Sequence, residues 1–412
     1  MAASDFCRAH GALQAAWAAE VLIDVQLPFS QQKLDTLMDE AGLDLLLATS
    51  KENVQYLLGG YRSSFYILRD AFGMSRYLPC LGYRKGRPEQ AFYVGNPLEK
   101  WQQEVEPGFW VKNVDNGCWH TKTTGGKAAE KIRKLGLAGR TIGLEKSFLP
   151  ADTFAALAQE LPNAKFVDAH YLLDRLRAIK RPDELTFLRE VSEQVVDSML
   201  EVVRSARPGM TTREISDEMM REEVSRGMNF EYCLTCTGPS FNRAPSNRRW
   251  ESGWVLSLDS GGNKHGYIGD LARMAVMGKP TSLMTDLLEE IRAVQAAARS
   301  AVRPGATGGE IFARAVAAQA GCPHKNEMVF NAHGMGLVQH EAPYLSTTGP
   351  IPYPGLEPRE VERPIEAGMV LSIETDLLNP EVGFTKLEDT VAVTDNGFEA
   401  YGDGARDWIV VE

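Results

Sequence analysis

Four carboxylates stand in two pairs along this chain of 412 residues. Asp259 and Asp270 flank "SGGNKHGYIG", and Glu374 and Glu388 flank "TDLLNPEVGFTKL". Each pair lies between apolar runs, "WVLSLD" and "LARMAVM" for the first, "MVLSIE" and "DTVAVT" for the second. Such runs around a turn read as antiparallel hairpins, in which opposite residues share a face. Asp259 and Asp270 are equidistant from a turn centred between Lys264 and His265, and Glu374 and Glu388 from Glu381, so each pair is expected to face across its hairpin. Carboxylates gathered on a half-buried sheet repel and lose hydration, so they need compensation. Protons, the nearby Arg273 and Lys386, or divalent metal could supply it. His333, in "FNAHGMGLVQHEAP" between the hairpins, adds an imidazole, and Gly334 and Gly336 after it allow close backbone approach. Four carboxylates and one imidazole make an oxygen-rich donor set suited to Mn, Zn, Co or Fe, with carboxylates that two ions can share. Each residue alone is ordinary; the five together carry the argument.

These residues need elements to hold them. From about residue 182 a repeat appears: "SARPGMTTREI" (205 to 215) recurs as "AVRPGATGGEI" (301 to 311), 96 residues later. Each copy ends one long helix and begins another, and each is followed by one of the hairpins. A motif recurring only twice predicts an internally duplicated domain and not a solenoid. Pro182 before "DEL" marks a helix start. Before this region, "LDLLLATS", "EQAFYVG", "RTIGLE" and "AKFVDA" read as strands, and "GGKAAEKIRKLGLAG" and "DTFAALAQEL" as helices. That alternation predicts an α/β layer domain. The domains are expected at 1–172 and 173–412.

The chain is long enough for two full cores. A net charge of −11 argues against a nucleic-acid partner, which would require a basic face. No apolar run is long enough to span a membrane, and the first residues lack the basic start of a signal peptide. Six cysteines in a chain of this length suggest reduced thiols and a cytoplasmic setting. Cys233 and Cys236, in "YCLTCTG", lack a second ligand pair and read as small residues of a buried strand.

In "LRAIKRPDELTFLR", "RPGMTTREI", "LSLDSGGNKHGYIGDLAR", "AHGMGLVQHEAP", "VLSIETD" and "KLEDTVAVT", in this order from 176 to about 395, the chain resembles the pita-bread metalloenzymes: methionine aminopeptidase, prolidase, Xaa-Pro aminopeptidase and creatinase. "KENVQYLLGG" more weakly resembles the creatinase-type N-terminal domain. The resemblance implies a two-domain α/β architecture: an N-terminal α/β layer domain and a C-terminal pita-bread α+β domain with internal pseudo-two-fold duplication. It implies two divalent metal ions on Asp259, Asp270, His333, Glu374 and Glu388. Asp259 would hold one ion, His333 and Glu374 the other, while Asp270 and Glu388 bridge. Glu374 would act as general base, and His340 would help stabilise the tetrahedral intermediate. It also implies a homodimer.

The departures are informative. Xaa-Pro peptidases carry a histidine upstream of the first hairpin, where an ungapped match puts Asn242, and another four residues before the ligand histidine, where Val329 stands. They usually have Arg where Lys386 stands, and Lys offers a point charge in place of a bidentate fork. The expected function is therefore hydrolysis of a C–N bond in a small-molecule or dipeptide-like substrate, with part of the proline-recognition set missing. Asn242, Arg243, Arg62 and Lys386 are the candidate substrate-binding residues. Metal-free creatinase chemistry is disfavoured, since the ligands are present and the upstream histidine is not. A metal-dependent lyase resembling the dimethylsulfoniopropionate type is the alternative, although Ser257 stands where that lyase has an aspartate and His340 has no counterpart there. A non-catalytic binding member of the family is the third reading.

Overall fold

The computed structural model describes residues 27–73, 75–106, 109–346 and 361–412. The first 26 residues, on which the signal-peptide expectation bore, lie outside the described residues. The chain forms two compact units, Met1–Asp168 and Ala169–Glu412. The boundary expected at 172 falls inside a helix, His170–Arg177.

The first unit is built on a six-stranded sheet of β1 (Leu45–Ala48), β2 (Cys80–Arg84), β3 (Phe92–Val94), β4 (Asn113–Asp115), β5 (Thr141–Leu144) and β6 (Lys165–Asp168), in the order β4-β3-β2-β1-β5-β6. Its pairing is mixed: β1 runs parallel to β5 but antiparallel to β2. Leu45, Leu47, Ile142 and Leu144 form its core with Ala128, Ile132 and Leu157 of helices Thr121–Lys134 and Ala151–Glu160. The carboxylate of the fully buried Glu145, at the end of "RTIGLE", accepts hydrogen bonds from Ser50 N at 2.9 Å and Asn53 Nδ2 at 2.6 Å. Ser50 caps the helix of "KENVQYL". An acid at a helix N-terminus meets unpaired N–H groups and the positive dipole end, which explains how its burial is tolerated.

The second unit carries an eight-stranded sheet. Its main path is β10 (Met328–Gly334), β11 (Val370–Asn379), β12 (Gly383–Val393), β9 (Tyr267–Met277), β8 (Val255–Lys264) and β7 (Asn229–Thr237). β13 (Phe398–Tyr401) pairs with β12, and β14 (Ile409–Val411) with β9. The path is palindromic: β7-β8-β9 and β10-β11-β12 meet at the β9–β12 junction, as a duplicated unit related by a pseudo-two-fold requires. Each half is preceded by a helix pair, Pro182–Ser205 with Thr212–Ser225, and Ser282–Arg299 with Gly308–Gln319. The two "RPG" repeats are the links within these pairs. Their threonines cap the second helices: Thr211 accepts from Glu214 N and Thr307 from Glu310 N.

Alternation along the strands decides what faces the helices. On β11, Leu371, Ile373 and Leu377 join the core of the second helix pair, and the intervening Ser372, Glu374 and Asp376 point the other way. On β8, Leu256 and Leu258 join the core of the first pair, leaving Ser257 and Asp259 opposite. Each Leu or Ile so buried contributes about 1.5–3 kcal/mol. A one-residue slip of register would turn the carboxylates into the apolar layer against the helices, so the hydrophobic pattern itself aims the acids at the opposite face.

Candidate metal centre

The acids lie on three neighbouring rungs of this face. The central rung runs from Asp259 through Ala272, Glu388 and Glu374 to Asn331, each paired with the next across β8, β9, β12, β11 and β10. Glu374 and Glu388 are directly opposite, as their spacing predicted. Asp259 and Asp270 are not: Asp259 pairs with Ala272, and Asp270 with Gly261. The turn is centred one residue later than expected, because His265 and Gly266 both take positive φ (54° and 94°) and make a two-residue hairpin turn. The offset is two residues, so the aspartates keep the same face but meet diagonally. Ala272, between Asp259 and Glu388, brings only a methyl group to that rung.

On one side of the central rung, His333 pairs with Ser372. On the other, Lys386 pairs with Asp376, which pairs with Val329. His333 Nε2 lies 3.7 Å from Glu388 Oε1 and 3.9 Å from both Glu374 Oε1 and Asp270 Oδ2. It is buried and has no hydrogen-bond partner among the described residues. Its Nδ1 is 3.2 Å from the Gly334 carbonyl. His333, Glu374 and Glu388 each offer a ligand atom within 4.8 Å of one another, as do Asp259, Asp270 and Glu388, and Asp270, His333 and His340. An orphaned buried imidazole nitrogen facing three carboxylate oxygens fits a divalent cation, and the largely oxygen donor set fits the same class of ions.

The electrostatics agree. Burial pushes the carboxyl of Asp270 well above its ordinary value, and the neighbouring Glu388 and Asp259 add to this. Burial likewise raises Asp259, against the opposing pull of Lys386. Burial disfavours a charged His333, but Glu388, Glu374 and Asp270 outweigh it and lift the imidazole to about 9. Without a metal, the carboxylates thus draw a proton onto the residue whose lone pair an ion would take. His340, its ring 4.1 Å from that of His333, goes the other way: burial and the charge of His333 lower it to about 4.

The carboxylates are held from behind and beside. Asn331 Nδ2 donates to Glu374 Oε1 at 2.6 Å, and Ser372 Oγ to Glu388 Oε1 at 2.7 Å. Gln339 Nε2 donates to Asp270 Oδ2 at 2.7 Å, and the Tyr232 hydroxyl donates to Asp270 Oδ1. Alternation could have found Asn331 and Ser372, each two residues before a candidate ligand. Tyr232 and Gln339 gave no such signal, since they come from an outer strand and a loop. Asp376 was also missed; burial lifts its carboxyl to about 6.

The candidate substrate-binding residues differ in their surroundings. Lys386 is buried among the candidate ligands, its Nζ 2.7 Å from Asp259 Oδ2, 2.6 Å from Glu374 Oε2 and 2.8 Å from Glu388 Oε2. Arg243 pairs with Asp259 Oδ2 and lies over the Phe384 ring. Asn242 is exposed, and its side chain bonds the backbone of Ala244 in its own loop. Arg62 belongs to the first unit, where its carbonyl accepts from Gln102 Nε2 at 2.6 Å. Cys233 and Cys236 are buried in β7, as expected.

Comparison with known proteins decides the family. The profile of metallopeptidase family M24 matches residues 186–395, just over half of the chain and a span that includes all five candidate ligands. The chain belongs to metallopeptidase family M24. The creatinase/prolidase N-terminal domain matches residues 31–179. An Xaa-Pro dipeptidase of Pyrococcus horikoshii is 24% identical over 377 residues, covering 89% of this chain and 94% of its own. An uncharacterized peptidase of Bacillus subtilis, YqhT, is 23% identical over 389 residues, covering 92% and 99%. Among solved structures, an Xaa-Pro dipeptidase from Bacillus anthracis superposes with a TM-score of 0.77 at 21% identity, covering 92% of this chain and 99% of that one. The prolidase from Pyrococcus horikoshii OT3 does so at 0.72 and 21%, covering 90% and 97%. These structures establish the pita-bread fold with a creatinase-type N-terminal domain, and membership of M24 makes the chain a metal-dependent hydrolase of metallopeptidase type. Among the described residues no helix is long and apolar enough to cross a membrane.

Proposed function

We propose that this M24 member hydrolyses a C–N bond in a small dipeptide-like substrate at the centre formed by Asp259, Asp270, His333, Glu374 and Glu388. The observation that carries this reading is the orphaned His333 Nε2, buried and facing oxygens of Asp270, Glu374 and Glu388. A divalent metal held there, Mn, Zn, Co or Fe, supplies Lewis acidity and lowers the pKa of water. Glu374, oriented by Asn331, is the base that takes the proton of the attacking water. His340, kept neutral at pH 7 by burial and by His333, offers an N–H to the oxyanion without bringing a charge that would compete with the metal. Tyr232 and Gln339 hold Asp270 in its ligating orientation.

The dipeptide-like substrate is suggested by relatives that are Xaa-Pro dipeptidases. Part of the proline-recognition set is absent in our reading. Val329, 40% exposed, takes the position of one family histidine, and Asn242, turned into its own loop, the position of another. Arg243, partly exposed beside Asp259, is the candidate for a substrate carboxylate. The reading includes a homodimer and a cytoplasmic setting; the five described cysteines are all free thiols.

The test is a screen of dipeptides, with and without proline, in water enriched in oxygen-18. Metal-dependent turnover with one label entering the product is expected. Turnover without label would point to elimination, and the hydrolase reading would fall. The preferred substrate is expected to lack the proline requirement; strict Xaa-Pro preference would restore the full recognition set by other residues.

A further inference from the structure

Glu374 and Glu388 each divide their two oxygens in the same way. Their Oε1 atoms face His333 Nε2, at 3.9 and 3.7 Å, and their Oε2 atoms face Lys386 Nζ, at 2.6 and 2.8 Å. Two carboxylates shared between two cations is the arrangement of a bridged metal pair, but here one of the two cationic positions is filled by a side chain. Lys386 completes its shell with Asp259 Oδ2 at 2.7 Å, and its side chain is only 6% exposed. Asp259 Oδ2 is paired with Arg243 as well, so the acid that would hold an ion on this side already meets two cations.

The geometry points to an exclusive choice. An ion bound to these oxygens would lie about 2.0–2.2 Å from each. The ammonium already meets the same three oxygens at 2.6–2.8 Å, so ion and ammonium would overlap. The position follows from the fold: Lys386 precedes Glu388 by two residues on β12, shares its face, and reaches the central rung from the neighbouring one. Lys has a single compact charge on a flexible stem and can enter a space of this size. A buried ammonium ringed by three carboxylates is compensated, so nothing drives it out in favour of bulk water.

We propose that the Lys386 ammonium takes the place of one of the two ions that the five-ligand set would otherwise hold, so that this chain carries a single tightly bound divalent ion on the His333 side, with Glu374, Glu388 and Asp270. This rests on the metal-hydrolase reading above and replaces the two ions that the family resemblance implies with one. The role of Lys386 then lies within the metal centre and not in holding the substrate.

The experiment is a titration of Mn(II) into the chelator-stripped full-length chain, read by equilibrium dialysis and by electron paramagnetic resonance. The wild type is expected to bind about one Mn(II) per chain, with the six-line signal of an isolated ion. Lys386→Met, similar in length and uncharged, is expected to bind about two, with the additional splitting of an exchange-coupled pair. Two ions and a coupled signal in the wild type would overturn the inference while leaving the metal-hydrolase reading intact. So would a Lys386→Met chain that folds and still binds one. Absence of any bound ion in the wild type would overturn both. If the variant does not fold, the wild-type count and spectrum decide alone.

Discussion

Glu223 offers a test of how the ligand strand is supported from its helix side. This acid, on the helix Thr212–Ser225, is fully buried, and burial raises its carboxyl from 4.5 to about 7. Its Oε1 is 2.8 Å from Ser260 Oγ, the hydroxyl next to Asp259, which is also 2.8 Å from the Tyr232 carbonyl. One hydroxyl proton cannot serve both acceptors. A protonated Glu223 resolves this by donating to Ser260 Oγ, while Ser260 donates to the carbonyl. The perturbation is Glu223→Gln, which keeps the shape and removes the charge. For an acid raised in the folded state, the penalty is absent below its unfolded pKa near 4.5, grows as pH rises, and is complete above the folded value near 7. Linkage gives a penalty of about 1.4 kcal/mol at about pH 5.5 and about 3 kcal/mol at about pH 8. Glu223→Gln should therefore gain about 2 kcal/mol relative to wild type between those two pH values. Urea unfolding of both proteins at both pH values, with the metal content held equal, measures it. The double difference cancels every titration the two chains share. A variant whose stability relative to wild type is the same at both pH values, or falls toward alkaline pH, would refute the reasoning.

Glu388→Ala should lose bound ion and activity together, whereas His340→Ala should keep the ion while activity falls; metal analysis beside turnover separates them, and the reverse pattern would exchange the two roles. Asn331→Ala removes the 2.6 Å hydrogen bond that orients Glu374 and is expected to weaken ion binding about 10–100-fold, read by competition with a chelating dye. Arg273→Met should destabilise the second unit by about 3 kcal/mol or more, read as a fall in its calorimetric transition. The fully buried Arg273 donates to the carbonyls of Ala272, Glu388, Gly402 and Gly404 at 2.7 Å, and pairs with the buried Asp389 at 3.0 Å.

The sequence by itself determined the fold class, the duplication and the face on which the acids lie. These are local properties: period-two alternation puts Glu374 opposite Leu371 and Ile373 whatever the neighbours do, and the threonines of the "RPG" repeats cap helices through their own hydroxyls. The register of β11 and β12 was legible too, because the spacing of Glu374 and Glu388 is symmetric about Glu381. The register of β8 and β9 was not. It turns on positive φ at His265, a non-glycine residue for which that conformation is uncommon, and the displaced turn moves Asp259 to a diagonal from Asp270. The tertiary structure alone decided the partners of the acids. Tyr232 and Gln339 reach Asp270 from a strand and a loop far away in the chain, and no periodicity links them. Lys386 was visible as a cation two residues before Glu388, but whether a flexible ammonium turns to a substrate or into the carboxylate ring depends on the charge converging from β8, β11 and β12. Electrostatic attraction acts through space and not along the chain, so only the folded sheet brings those three oxygens close enough to hold it.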